Sequence, residues 1–447
     1  MARLFGTDGV RGIAGSELTP TLAFQLGRAG AYVLAQETEK PKILVGMDTR
    51  ISCDMLESAL IAGILSAGAD AISVGVIPTP GIAYLTKARG AAAGVVISAS
   101  HNPAKYNGIK FFSGEGYKLP DETEDKIQAL IESDGVPTYT GADIGRHYLD
   151  FEAAEDYARY AEGTISESLS GLRIAVDCAN GATSKISPKV LERLGAEVAV
   201  IGADPNGLNI NDGCGSTHME GLSEFVKNGN FDLGIAFDGD GDRVLFTDAD
   251  GNFIDGDHVM AVIAIHLKNE NKLQNNTLVA TVMSNLGLEI ACRENGITLL
   301  RTAVGDRYVL EAMLKEGHIL GGEQSGHIIF SKHATTGDGL ISALQFLSIM
   351  QKTGKTAAEL SACMTSYPQV LKNVKVSNEQ KYSFTKDAEI AKEISRIENE
   401  LSGRGRILIR PSGTEPQVRI MLEGDNTEMI EKEANFLSDF ILKRLES

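Results

Sequence analysis

Three aspartates alternate with glycines in "FDLGIAFDGDGDRVLF" (231–246): Asp238, Asp240 and Asp242, at the end of an apolar run. Carboxylates held together repel, by about 4 kcal/mol per pair at ~4 Å and an effective dielectric of ~20, and by about 1 kcal/mol in water. Glycine lets such a loop fold with all three pointing inward, and a divalent cation reverses the sign of the energy. An EF-hand is excluded, because its sixth position would be Arg243 instead of glycine and its twelfth Ala249 instead of glutamate. A hard-cation site with few protein ligands suits Mg²⁺, which completes its shell with water or phosphate oxygens. Arg243 is either an ion-pair partner of the acids or a phosphate contact.

A second group stands in "GVVISASHNPAKYNGIKFF" (94–112), where an apolar run stops at Ser98, Ser100, His101 and Asn102, with Lys110 close behind. Ligands in α/β sheets sit at strand ends, so a serine nucleophile is the question. The hydrolase elbow G-x-S-x-G is absent, and no S-x-x-K is centred on either serine. A hydroxyl accompanied by a metal-type loop and several arginines fits phosphoryl transfer better. In "RILIRPSGTEPQVRI" (406–420), Arg410, Ser412, Gly413, Thr414 and Arg419 form a turn whose N–H groups, hydroxyls and guanidiniums can cradle a phosphate. A hairpin turn capped by Ser and Thr is the plain alternative. It is not a Walker A loop: the Gly-Lys-Thr at 354–356 has Ile349 where the first glycine belongs.

In "LGGEQSGHIIF" (320–330), Glu323, Ser325 and His327 fall on alternate residues, which an extended segment would place on one side. Their types suit sugar hydroxyls or an amine, and proton transfer. "TAVGDRY" (302–308) leaves an apolar run with Gly305, Asp306 and Arg307, and "LFGTDGVRG" (4–12) offers Thr7, Asp8 and Arg11 between glycines, equally well a plain turn.

The elements that must carry these groups follow a repeated plan. "KILVGMDTRISCDMLESALIAGILSAGADAISVG" (42–75), "LRIAVDCANGATSKISPKVLERLGAEVAVIG" (172–202) and "TLVATVMSNLGLEIACRENGITLLRTAVG" (277–305) each run strand, helix, strand. The expected fold class is α/β: three related mixed-sheet α/β domains in series, over 1–150, 151–255 and 256–368. A smaller α+β domain over 369–447 follows, with an amphipathic helix, a hairpin and a last helix. One larger sheet with three crossovers is the alternative. A length of 447 residues suits two to four domains, and the net charge of −18 argues against nucleic acid or anionic membranes as principal partners, though not against anionic substrates. No apolar run reaches the ~18 residues of a membrane span, so a cytoplasmic protein is expected. The five cysteines (Cys53, Cys178, Cys214, Cys292 and Cys363) are widely spaced, odd in number and without a C-x-x-C pair. That indicates neither a disulfide framework nor a zinc site.

Along essentially its whole length the chain resembles the α-D-phosphohexomutase superfamily. The resemblance is carried by FGTDGVRG (5–12), ISASHNP (97–103), NGIKFF (107–112), DGDGDR (238–243), TAVGDR (302–307), GEQSGH (322–327) and RPSGTEP (410–416). It implies four domains around a central cleft and a phosphorylated Ser100 framed by His101 and Asn102. Asp238, Asp240 and Asp242 are implied Mg²⁺ ligands, with an oxygen on Ser100 completing the set. Lys110 and Arg11 are implied helpers at the transferring phosphoryl, Glu323 and Ser325 sugar contacts, and His327 a proton shuttle. Arg243, Gly305, Asp306 and Arg307 are expected on the substrate side, and the 410–419 loop at the phosphate that does not react.

The implied reaction moves a phosphoryl group between two hydroxyls of a hexosamine phosphate, with glucosamine or glucose 1,6-bisphosphate as intermediate and activator. It would supply amino sugar for cell-wall precursors. The implied partners are the sugar phosphate and a second copy in a homodimer, with no nucleic acid and no membrane. Mannose or glucose phosphates as substrates, or a Mg²⁺-dependent phosphatase, are the alternatives; Gln324 favours the amino sugar by resemblance only. Met47, Cys53 and Met219 depart from the family pattern, and Cys53 is expected to make the protein thiol-sensitive.

Overall fold

Short apolar runs with no polar alternation make strands covered on both faces. Ala93–Ile97 and Leu233–Phe237 are of this kind, with every residue buried. The computed structural model describes residues 3–6, 8–35, 40–401, 403–412 and 416–446. Among these, the first sheet has six strands: β1 (Val10–Ile13), β2 (Lys42–Met47), β3 (Asp70–Val76), β4 (Ala93–Ile97), β5 (Tyr106–Ser113) and β6 (His147–Leu149), in the order β1-β5-β4-β2-β3-β6. The second has five: β7 (Arg173–Asp177), β8 (Glu197–Ile201), β9 (Leu233–Phe237), β10 (Val244–Asp248) and β11 (Phe253–Ile254), ordered β11-β10-β9-β7-β8. The third has four: β12 (Thr277–Thr281), β13 (Thr298–Thr302), β14 (Leu320–Gly322) and β15 (Ile328–Phe330), ordered β13-β12-β14-β15.

The three sheets share one topology. In each, the first strand lies between two parallel neighbours (β3-β2-β4, β8-β7-β9, β13-β12-β14), and the third strand turns back into an antiparallel fourth. The helices between the first two strands, Cys53–Ser66, Ser187–Arg193 and Leu286–Glu294, fall where the repeats place them. Turns 98–105, 238–243 and 323–327 are therefore the same turn of the fold, met three times. Each follows the carboxyl end of a strand, where such sheets bind ligands.

The chain forms two compact units, residues 1–283 with 297–363, and 284–296 with 364–447. Helix Leu286–Glu294 thus belongs to the second unit. In the first unit, Ile43, Val45, Val95 and Ile97 of the first sheet pack on Leu26, Leu56, Leu60 and Ile64 of helices Pro20–Leu34 and Cys53–Ser66. The second unit holds an antiparallel sheet of β16 (Gln369–Lys375), β17 (Gly405–Pro411) and β18 (Gln417–Gly424), ordered β16-β18-β17. Val418, Ile420 and Leu422 pack there with Ile390 and Ile397 of helix Ala388–Leu401 and with Leu437 and Ile441 of helix Thr427–Glu446. Cys53 is buried, its thiol hydrogen-bonded to Asp48 and pushed well up in pKa by burial and by that carboxylate; an accessible reactive thiol at this position is ruled out. No described helix is long and apolar enough to cross a membrane.

Candidate active site

The turns after β4 and β9 meet. Ser100, 1% exposed, donates its hydroxyl hydrogen to Asp238 Oδ2 at 2.6 Å, and its Oγ lies 3.3 Å from His101 Nδ1. Ser100 has φ 52°, the left-handed region, which costs an L-residue about 1–2 kcal/mol and persists where surroundings over-determine it. Asp238, Asp240 and Asp242 converge with one oxygen from each inside 4.8 Å. Two glycines permit this. Gly241 has φ 71°, and a Cβ on Gly239 would stand 2.7 Å from both Ser100 O and Asn211 Nδ2.

Lys110, 2% exposed, bridges Asp240 and Asp8 at 3.0 Å each. Burial alone would lower its pKa, but these two carboxylates raise it, so the ammonium stays charged. Thr79 Oγ1 donates to Asp240 Oδ2 at 2.6 Å. Asp240 Oδ1 and Asp242 Oδ1 are buried without a hydrogen-bond partner. Buried polar atoms are nearly always paired, and two orphaned carboxylate oxygens beside a third carboxylate are what a hard cation requires. The donor set fits a divalent cation.

Opposite charges alternate outward from the triad. Asp8 pairs with Lys110, Arg11 and Lys118 (Lys118 at 2.7 Å), and Lys118 pairs in turn with Asp306. Asp306 lies 3.4 Å from His327 Nε2, and His327 Nδ1 lies 3.5 Å from Asp242. Burial opposes a charge on His327, while Asp242 and Asp306 favour it and raise its pKa. The Gly337 N–H donates to Nε2 at 3.0 Å, a contact that favours the tautomer with its proton on Nδ1, facing Asp242, and works against the pull of the two carboxylates. His101 behaves oppositely: burial, then Arg243 and Arg11, lower its pKa to about 4. Arg243 takes its place through its own N–H on Asp238 Oδ1 at 3.2 Å, with its guanidinium 3.8 Å from Asp242.

The turn after β14 is not extended. It closes through Gly326 N–H to Glu323 O at 3.0 Å, because two short antiparallel strands must be joined. Glu323 Oε1 accepts the Gly305 N–H at 3.1 Å, which ties this turn to the 302–308 motif, and Ser325 Oγ is buried with no partner. Gln324 is turned to Asp255 at 3.0 Å. Arg307 binds Asp121 and Glu311 and is not brought to the triad.

In the second unit, Arg410 and Arg419 face each other across β17 and β18. Burial, then Arg419, lowers the pKa of Arg410. Ser412 N–H donates to Gln417 O at 2.9 Å, and Lys381 reaches Ser412 O at 3.2 Å. Gly413 and Thr414 lie outside the described residues. Sequence reasoning missed Asp48, Arg50, Asn211 and Lys118, all within this constellation. The "GMDTR" stretch (46–50), a polar cluster ending β2, was the available signal for the first two.

Descriptions of the phosphoglucomutase/phosphomannomutase family match in chain order: alpha/beta/alpha domain I over residues 2–136, domain II over 155–251, domain III over 255–367 and the C-terminal domain over 371–439. The phosphoglucosamine mutase of Clostridium novyi (strain NT) is 60% identical over 443 residues, 99% of each chain. A phosphoglucomutase/phosphomannomutase family protein from Burkholderia thailandensis has a similar structure, with TM-score 0.84 at 23% identity, covering 99% of this chain and 98% of that one. So does the Aspergillus fumigatus N-acetylphosphoglucosamine mutase solved with GlcNAc-6P and magnesium, with TM-score 0.68 at 17% identity over 99% and 96% of the two chains.

Proposed function

The chain belongs to the phosphoglucomutase/phosphomannomutase family, and from that premise we propose that it is an isomerase interconverting glucosamine 6-phosphate and glucosamine 1-phosphate through a phosphoserine at Ser100. The observation that carries the reading is the 2.6 Å approach of the Ser100 hydroxyl to a carboxylate of a three-aspartate loop from a different sheet.

In the forward half-reaction the free hydroxyl of the sugar phosphate attacks the phosphorus on Ser100. The P–Oγ bond breaks and a 1,6-bisphosphate forms. The sugar then reverses, and Ser100 Oγ attacks the other phosphorus, releasing the isomerised monophosphate. Asp238 and the unprotonated His101 are the two acceptors within reach of the Ser100 proton. Lys110, held charged, donates to the transferring oxygens, and Arg11 and Arg243 add positive charge as it spreads. Asp238, Asp240 and Asp242 would hold Mg²⁺, which when bound supplies Lewis-acid stabilisation of phosphoryl charge.

Glu323, Ser325, Gly305 and Asp306 form the sugar side in this reading, with His327 moving a proton. Arg410, Ser412 and Arg419, together with Gly413 and Thr414, receive the phosphate that does not react. The proposed domain limits are 1–150, 151–255, 256–368 and 369–447. A cytoplasmic setting and a homodimer belong to the proposal on family likeness alone. The test is a coupled assay on glucosamine, mannose and glucose 6-phosphates with Mg²⁺. The expected result is the highest kcat/KM on the amino sugar; a higher value on mannose or glucose phosphate overturns the substrate assignment, and net release of inorganic phosphate at the isomerisation rate overturns the mutase.

A further inference from the structure

Behind the nucleophile lies a buried group of side chains that binds the backbone of its turn. We infer that Ser98, Arg50 and Asn211 are positioning residues for the phosphoryl transfer, clamping Ser100 in its left-handed conformation so that Oγ is aimed at the aspartate loop. The inference rests on Ser100 being the nucleophile, as proposed above.

Both backbone groups of Ser100 are taken. Its N–H donates to Ser98 Oγ at 3.0 Å, and the Ser98 hydroxyl donates to Asp48 Oδ2 at 2.6 Å. Its carbonyl accepts from Arg50 Nη2 and from Asn211 Nδ2, each at 2.9 Å. The same two side chains continue along the turn. Asn102 O accepts from Arg50 at 2.7 Å and from Asn211 at 3.2 Å, and Pro103 O accepts from Arg50 Nη1 at 2.6 Å. Arg50 is itself fixed by Asp48, through its N–H at 2.9 Å and its Nε at 2.9 Å.

Neither side chain of the Arg50–Asp48 pair has any exposure (0% for each). Burying an ion pair is costly, and apolar residues of the same volume would hold a core as well. What this pair supplies instead is a fixed path for three consecutive-turn carbonyls. Asn211 comes from the segment between β8 and β9, with its own N–H anchored on Ala179 O at 2.9 Å. Because Gly239 packs directly on the clamped carbonyl, the clamp sets the separation between Oγ and Asp238. None of the three side chains is bonded to Oγ, so their loss acts on alignment. Misplacement by ~1 Å is enough to lower a rate about 10²-fold.

The test compares Ser98→Ala, Asn211→Ala and Ser98→Thr in the full chain. With glucosamine 6-phosphate, the two alanine variants are expected to lose about 10- to 100-fold in kcat with KM within about twofold, and Ser98→Thr, which keeps the Oγ, to recover most of that loss. The same ratio is expected in the rate at which glucosamine 1,6-bisphosphate loads dephosphorylated Ser100, read by intact mass. Wild-type kcat in both alanine variants, or a loss confined to KM, overturns the clamp. So does a crystal structure of either alanine variant in which Ser100 keeps φ near 52° and its bond to Asp238, whatever the substrate. A wild-type enzyme that neither isomerises nor loads overturns the mutase reading, and that crystallographic comparison then decides the clamp by itself.

Discussion

The turn after β4 and the turn after β14 occupy the same place in their sheets and differ in how completely they satisfy themselves. Around Ser100 the hydroxyl, the N–H and the carbonyl all have protein partners. After β14, Ser325 Oγ is buried with none, and after β9 the same is true of one oxygen each on Asp240 and Asp242. In the proposed reading, the turn that presents the nucleophile is closed by the chain itself, and the turns on the ligand side keep buried polar atoms without a protein partner. One repeated topology serves both ends because the strand framework fixes where the turn is, while the turn residues decide what it lacks.

The comparison breaks most visibly at Ser100. Ser100→Ala is expected to lower kcat by on the order of 10⁴-fold and to leave unfolding free energy within about 1 kcal/mol, checked by the coupled assay and urea unfolding. Turnover close to wild type would remove the nucleophile from the closed turn. Asp240→Asn addresses an open one. Because Asp240 also holds Lys110 and Thr79, kcat should fall roughly 10²–10³-fold. In wild type, Mg²⁺ at about 100 times its Kd should raise stability by about 2.7 kcal/mol, and that gain should vanish in the variant. An equal Mg²⁺ gain in both proteins would show that the cation binds elsewhere.

A pH experiment probes the support behind His327. Asp338 caps helix Gly339–Thr353 through the Ile341 N–H at 2.9 Å and accepts the Tyr157 hydroxyl, and burial raises its pKa from 3.8 to about 6. The folded state then holds this proton more tightly than the unfolded one. The contribution to stability is full below about pH 3.8 and is lost as the pH rises through about 6. Asp338→Asn escapes that loss, so its stability relative to wild type should improve by roughly 2–3 kcal/mol between about pH 4 and pH 7. A difference that does not change with pH would contradict the burial argument. The smallest effect sharpens the comparison most finely. Ser325→Ala should lower kcat/KM only about threefold to tenfold while costing no stability, since its Oγ has no partner to lose. A destabilised Ser325→Ala would mean that the turn after β14 is closed after all.

Much of this was legible before any coordinates. The aspartate cluster was readable because its three carboxylates come from five adjacent residues, and Ser100 because it stands in a polar cluster just after a strand. The three strand–helix–strand repeats carried their periodicity openly. The clamp was not readable, since Arg50 and Asn211 act on backbone carbonyls 50 and 111 positions away, and a carbonyl leaves no mark in a sequence. Lys118 was hidden for a related reason: it matters only where Asp8 and Asp306, far apart in the sequence, converge on it. The shape of 323–327 was missed because alternating residue types look alike in a strand and in a tight turn.

The central claim is that one serine hydroxyl, fixed by its own turn, carries the phosphoryl group between the two ends of the sugar. Intact mass with peptide mapping, after incubation with glucosamine 1,6-bisphosphate and again after a chase with glucosamine 6-phosphate, tests it most directly. One phosphoryl group should appear on Ser100 and leave in the chase as fast as the enzyme turns over. A phosphoryl on another residue, or full turnover by a protein never modified at Ser100, would contradict it.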